Sequence, residues 1–247
     1  MTKVAIIGGT GLTSLNGLEI IGREIIQTPF GEPSGPLVRG NLAGHQIYFL
    51  PRHGAAHTIP PHRINYRANI WALKEAGIKQ VIAVNAVGGI REDMQPGVLI
   101  IPDQVIDYTV SRTSTFFEEG LKQVVHIDFT EPYCETLRKN IISAADSSSI
   151  SVIKEGTYAA TQGPRLETAA EVNRLEKDGC HLVGMTGMPE AALAREQELC
   201  YASISVVANL AAGRGTEDLT MEMIERNLNE GMEKVRQLLE AVIPKLD

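Results

Sequence analysis

The chain has 247 residues, 43% of them hydrophobic and 21% charged, with 23 glycines and a formal net charge of −7. This length and composition suit one large α/β domain spanning 1–247 and exclude a disordered chain. The negative charge argues against nonspecific nucleic-acid or anionic-membrane binding, so any phosphate-bearing ligand must be held by a few local groups.

In chain order, residues 4–7 read as a strand that ends in the glycine loop GGTG at 8–11. Residues 46–50 read as a strand ending in PRHG. A helix pattern over 65–76 stops at Gly77 and leads into a strand over 80–84, and strands joined by a helix usually run parallel. Further strands are expected over 99–101, 156–160, 182–185 and 201–207. A helix over 165–178 is bracketed by Pro164 and Gly179. A long C-terminal helix follows Thr220, a good N-cap, with apolar Ile224, Leu228, Met232, Val235 and Leu239 at spacings of three and four. Residues 147–149 read as a surface loop, and 111–130 has little periodicity. Lys3 leads into the first strand without a signal-peptide core, and no apolar run is long enough to span a bilayer. Cys134, Cys180 and Cys200 lack metal-ligand spacing, so reduced thiols in a soluble, cytoplasmic protein are expected.

Several strand ends carry polar or glycine-rich segments, as expected where an α/β sheet binds a ligand at the carboxyl ends of its strands. IIGGTGL at 6–12 does not complete G-x-G-x-x-G and opens no helix, with Asn16 and Gly17 marking a turn. A dinucleotide site is therefore disfavoured, and Glu24 is its one ribose-reading candidate. A plain turn, or an anion cradle of backbone amides and the Thr10 hydroxyl, both stay open. Arg52 offers paired donors to phosphate and His53 a further donor, although surface arginines are common. His57, His62 and Arg63 lie in a proline-broken loop without metal-ligand spacing, and no metal site is expected. VNAVGGIRE at 84–92 is either a sharp turn or a close backbone approach to a ligand, with the Ala86 N–H donating. In VGMTGMPE at 183–190, Met185 could pack a sugar and Thr186 donate to phosphate, or both could be structural. Met221 and Ile224 share one helix face, as core or as an apolar pocket wall.

Taken together, IIGGTGL, PRHG, NYRANIWALKEAG, VNAVGGIREDMQPG, TQGPRLETAAE and GMTGMPEAALARE resemble the trimeric purine nucleoside phosphorylase and methylthioadenosine phosphorylase family. The resemblance runs in order over nearly the whole chain and is strongest to the bacterial S-methyl-5′-thioinosine phosphorylase branch. It implies one α/β domain around a central mixed, twisted sheet flanked by helices, assembled as a homotrimer. It also implies a purine nucleoside substrate, inorganic phosphate as co-substrate, and no metal or organic cofactor. By resemblance, Thr10, Arg52, His53, the Ala86 backbone and Thr186 hold phosphate, and Met185 lies under the ribose. His126 reaches a neighbouring subunit's sugar pocket, and Leu166, Glu167 and Asn209 meet the base. Asn209, Glu167 and His53 are the residues expected to carry catalysis.

Departures from the family point to the substrate. Methylthioadenosine phosphorylases carry two aspartates in the segment aligned to 209–211 and lack the glutamate found here as Glu167. A 6-oxopurine offers acceptors at O6 and N7 and a donor at N1–H, which an amide and an ionised carboxylate satisfy. Inosine and guanosine phosphorylases place a histidine near the 5′-hydroxyl, where Met221 aligns; with Ile224 it suits a methylthio group. The expectation is phosphorolysis of S-methyl-5′-thioinosine to hypoxanthine and 5-methylthioribose 1-phosphate. The alternatives are a broad 6-oxopurine (inosine/guanosine) nucleoside phosphorylase and a methylthioadenosine phosphorylase. A nicotinamide-dependent protein and a non-catalytic purine-binding module are the readings from other classes. His57, Tyr66 and Glu190 take structural roles by default.

Overall fold

The computed structural model describes residues 2–12, 15–215 and 220–246 and, of Met221, only the backbone. In chain order the elements are β1 (Val4–Gly8), β2 (Glu19–Glu24), β3 (Leu37–Leu42), β4 (His45–Pro51), α1 (Tyr66–Glu75), β5 (Gln80–Gly89), β6 (Leu99–Ile100), β7 (Gln104–Asp107), α2 (Glu135–Ser147), β8 (Val152–Ile153), β9 (Thr157–Ala160), α3 (Ala169–Lys177), β10 (Leu182–Gly184), α4 (Glu190–Glu196), β11 (Cys200–Leu210) and α5 (Met221–Val242).

Along β1, successive side chains serve opposite faces of the sheet. Val4 and Ile6 join a core with Leu137 and Ile141 of α2 and Leu238 of α5, whereas Ala5 and Ile7 join a second core with Ile70 and Leu73 of α1 and Ala191 of α4. Helices thus cover both faces of a mixed sheet, as expected of the fold class. The strand order is β2-β3-β4-β1-β5-β10-β9-β7, and β11 lies along the other edge of β5 and carries β6 and β8. β1, β4, β5 and β11 run parallel.

Pairing around β5 opens the sheet. β1 pairs as far as Ala83, and β10 pairs from Gly88 on the same edge, leaving the stretch between without a strand there. β10 is antiparallel to β5, so the chain leaving Gly184 runs back alongside β5. Met185 and Thr186 therefore arrive beside Asn85 and Ala86. Only some of the polar strand ends meet as parallel carboxyl ends; the Met185–Thr186 segment comes from the opposite direction.

Local signals account for the helix boundaries. The Asn65 side chain accepts from Ala68 N–H at 3.1 Å to open α1, and Thr220 accepts from Met223 N–H at 3.2 Å to open α5. α3 begins at Ala169, four residues later than expected. Thr168 accepts from Glu171 N–H while the Glu171 carboxylate accepts from Thr168 N–H; this capping box keeps 165–168 extended. Leu166 and Glu167 are thereby left in a loop, free to line a cavity. β2, β3, β7, β8, α2 and α4 were not expected. In α2, Leu137, Ile141, Ala144 and Ala145 are buried at helical spacing, a readable signal; Ser147 is its last residue rather than loop, and Ser148 caps it.

The thiol expectation is corrected. Cys134, just before α2, and Cys200, at the start of β11, form a disulfide with Cα atoms 5.1 Å apart, and only Cys180 is a buried free thiol. Their separation of 66 residues hides this proximity in the sequence.

Candidate active site

The open stretch of β5 borders a cavity of about 300 Å³. The loops after β1 and β4 enter from one side, and the segments after β9 and β10 and the end of β11 enter from the other. Thr10, Arg52, His53, Ala86 and Thr186 line it, as do Met185, Leu166, Glu167, Asn209 and Ile224. His126 does not: it is exposed on the irregular segment beyond residue 111. The Met221 side chain lies outside the described residues, so its expected place beside Ile224 is untested.

At the cationic end, Arg52 is fully buried. Its Nε donates to Glu190 Oε2 at 2.6 Å, its Nη2 to Glu190 Oε1 at 2.8 Å, and its Nη1 to the Val84 carbonyl at 2.9 Å. Of five guanidinium N–H groups, one on each terminal nitrogen is left for a ligand. Burial disfavours the cation, but the Glu190 carboxylate more than offsets this and holds Arg52 above the ordinary arginine range. Tyr201 O–H also donates to Glu190, at 2.8 Å. Glu190 is thus the buried counter-ion that orients Arg52. Gly9 lets the β1 loop approach: a Cβ there would lie 2.5 Å from the Val84 carbonyl oxygen and 2.8 Å from Arg52 Nη1.

His53 Nδ1 lies 2.8 Å from the Ile59 carbonyl. A carbonyl only accepts, so Nδ1 carries a proton. Burial, aided by Arg52, lowers the pKa of His53 to about 4, and the ring is neutral near pH 7. Nε2 is then a bare acceptor, in contrast to the donor expected from sequence; it suits a protonated phosphate oxygen. The His57 ring lies 4.6 Å from that of His53, and its Nε2 is 3.5 Å from Thr10 Oγ1. Burial lowers the His57 pKa as well.

Thr186 is set by a buried relay. Ser203 Oγ donates to Asn85 Oδ1 at 2.7 Å, and Asn85 Nδ2 donates to Thr186 Oγ1 at 2.8 Å. With its oxygen accepting from Asn85, the Thr186 hydroxyl proton is available to an anion. Asn85 is an amide inside a run of apolar residues, a signal from which its role could have been inferred.

At the opposite end, Asn209 lies in β11 where the pairing with β5 shifts register. Its Nδ2 donates to the Leu210 carbonyl at 2.7 Å, leaving one amide N–H and Oδ1 free. Glu167 Oε1 accepts from Thr161 Oγ1 at 2.7 Å, leaving Oε2 free. Arg112, absent from the sequence reading, ties these loops together. Its Nη1 donates to the Met185 and Met188 carbonyls, both at 2.7 Å, and its Nη2 to the Gln162 carbonyl at 2.8 Å. Tyr66 O–H donates to the Pro61 carbonyl at 3.0 Å and accepts from Arg112 at 3.2 Å. Among the described residues, no group of three or more His, Cys, Asp or Glu side chains is placed to hold a metal.

A cavity with anion donors at one end and an amide and a carboxylate at the other can take a phosphate and a flat polar heterocycle at once. The family profile described as "Phosphorylase superfamily" matches residues 3–244, and the chain belongs to that family. It is 53% identical to a probable S-methyl-5′-thioinosine phosphorylase of Pseudomonas syringae pv. tomato over 243 residues, 98% of this chain and 99% of that one. It is 45% identical to a probable 6-oxopurine nucleoside phosphorylase of Dictyoglomus turgidum, over 99% of this chain and 92% of that one. The fold is that of the methylthioadenosine phosphorylase from Schistosoma mansoni in complex with adenine, with a TM-score of 0.94, 36% identity, and coverage of 100% of this chain and 93% of that one.

Proposed function

We propose that the protein cleaves S-methyl-5′-thioinosine with inorganic phosphate, releasing hypoxanthine and 5-methylthioribose 1-phosphate. The observation that carries this reading is the pairing of Glu167 and Asn209 in the cavity that also holds Arg52, His53 and Thr186. Glu167 Oε2 accepts from N1–H of the base and the free Asn209 N–H donates toward N7. An adenine has no proton at N1, so an ionised carboxylate would face another acceptor. As the glycosidic bond stretches, negative charge gathers on the purine and positive charge on the sugar. The Asn209 donor strengthens with that charge. Phosphate, held by the free N–H groups of Arg52, the Thr186 and Thr10 hydroxyls and the Ala86 N–H, with one protonated oxygen donating to His53 Nε2, attacks the sugar and stabilises its charge. Met185 packs the ribose. Ile224 supplies an apolar wall for the methylthio group, and Met221 is proposed beside it. The chain acts as one catalytic domain and needs phosphate but no metal or organic cofactor.

The strong similarity to a probable S-methyl-5′-thioinosine phosphorylase supports this substrate. The relative named a probable 6-oxopurine nucleoside phosphorylase favours a second reading, in which inosine and guanosine are taken equally. A homotrimer is part of the proposal. It rests on the family resemblance; Val124 and Val125, beside His126, are 72% and 40% exposed. A cytoplasmic location is proposed from the family resemblance, with the Cys134–Cys200 disulfide standing against it; no helix among the described residues is long and apolar enough to cross a membrane.

The test is phosphate-dependent cleavage of methylthioinosine, inosine and methylthioadenosine, compared by kcat/KM. A clear lead for methylthioinosine is expected. Equal rates on inosine would move the assignment to the broad 6-oxopurine enzyme, and a lead for methylthioadenosine would overturn the base reading.

A further inference from the structure

We infer that Thr161, which does not line the main cavity, is a positioning residue that sets the preference for 6-oxopurines by holding Glu167. The inference rests on the proposed contact between Glu167 and the base. Thr161 follows β9, and its backbone is fixed on both sides. Its N–H donates to the Gly184 carbonyl at 2.8 Å, and its own carbonyl accepts from Arg112 Nη2 at 3.2 Å. A β-branched side chain on a fixed backbone has little rotameric freedom. Its hydroxyl has one proton and two acceptors within reach, Glu167 Oε1 at 2.7 Å and the Gly184 carbonyl at 3.3 Å. The shorter bond, to a charged acceptor, takes the proton.

Thr161 and Glu167 both border a second hollow behind the site, and Glu167 alone faces the main cavity as well. The hydroxyl therefore fixes one carboxylate oxygen from behind and presents the other to the base as a pure acceptor. Glu167 has another possible partner. Arg165 is bound chiefly by Glu171, yet the charge of Glu167 also raises its pKa. Without the threonine hydroxyl, the Glu167 carboxylate is free to turn toward Arg165 and solvent. The acceptor for the base N1–H would be lost while the phosphate end stayed intact.

The experiment compares wild type, Thr161→Val, Thr161→Ser and Glu167→Gln. Kinetics on methylthioinosine are measured together with inhibition by free hypoxanthine and free adenine. Loss of one charge-assisted hydrogen bond predicts that Thr161→Val lowers kcat/KM and weakens hypoxanthine inhibition by about 10- to 100-fold. Adenine inhibition and the KM for phosphate should change by less than about threefold, and Thr161→Ser should restore activity. In a Glu167→Gln background, Thr161→Val should add little, because the two residues act as one unit. If Thr161→Val fails to fold, Thr161→Ala is put through the same comparison. Equal weakening of both bases, an effect that persists in the Glu167→Gln background, or no effect would overturn the inference. If Glu167→Gln itself leaves hypoxanthine inhibition unchanged, the base reading fails, and the inference with it. A loss in Glu167→Gln with none in Thr161→Val overturns the inference alone.

Discussion

Glu190→Gln isolates the buried ion pair beneath the phosphate end. Glu190 and Arg52 are both wholly buried, joined by bonds of 2.6 and 2.8 Å, and Tyr201 O–H donates to the same carboxylate. Glutamine keeps the volume, but its NH₂ group must face a donor of Arg52 or Tyr201. The guanidinium is left as a buried cation without its counter-charge. Breaking one partner of such a pair costs about 3–5 kcal/mol, against a total stability of about 5–15 kcal/mol for a native domain. In a chain of this size the loss corresponds to a fall in Tm on the order of 10 °C. Thermal and urea unfolding in phosphate-free buffer measures it. Arg52→Met combined with Glu190→Met removes both charges and should recover most of the stability while abolishing phosphorolysis, because apolar replacement of a whole buried pair is often neutral. A Glu190→Gln protein within about 1 kcal/mol of wild type would refute the counter-ion argument. So would a double variant no more stable than the single one.

Three further outcomes are expected. His53 titrates near 4 in the folded chain and near 6.5 in an unfolded one, through burial and the neighbouring Arg52. The unfolded chain therefore binds the proton first; the stability tied to neutral His53 is complete above about pH 6.5 and is lost as pH falls toward 4, on the order of 3 kcal/mol. Unfolding free energies at pH 7 and 4.5 should show a shallower decline in His53→Asn, and identical declines would count against the shift. Asn209→Ala should lower kcat/KM on methylthioinosine by about 10²–10³, and near-normal turnover in a steady-state assay would sink its role; Asn209→Asp should shift preference toward the 6-amino substrate. Opening the Cys134–Cys200 bridge, whose cysteines are 66 residues apart, should cost roughly 4 kcal/mol on a loop-entropy basis. Calorimetry of a Cys134→Ser, Cys200→Ser variant checks this, and an unchanged Tm would show that the bridge adds nothing.

Much of the fold was legible because its signals are local. Short apolar runs rich in β-branched residues marked β1 and β5, which are buried almost throughout, Asn65 and Thr220 capped their helices, and Gly77 and Gly179, both at positive φ, closed theirs. β2 escaped notice because its isoleucines at 20 and 21 are exposed rather than alternating. α3 was drawn too long because Pro164 outweighed the capping pair of Thr168 and Glu171. Half of the cavity-lining residues, Arg52, Thr186, Glu167 and Asn209 among them, were expected at the site from the family resemblance of the motifs that carry them.

The supporting residues were less accessible. Glu190 stands 138 positions from Arg52, Asn85 101 from Thr186 and Arg112 73 from Met185, and no local period links such pairs. The sequence by itself determined the central strands β1, β4, β5 and β11, the helices α1 and α5 with their caps, and which polar groups are available. Only the tertiary structure decided that Arg52 would be held by a buried carboxylate, that His53 would accept rather than donate, and that Cys134 would meet Cys200. The reason is physical: caps and side-chain periods arise between near neighbours, whereas a buried charge finds its partner only after the antiparallel turn of β10 against β5 has brought distant segments together.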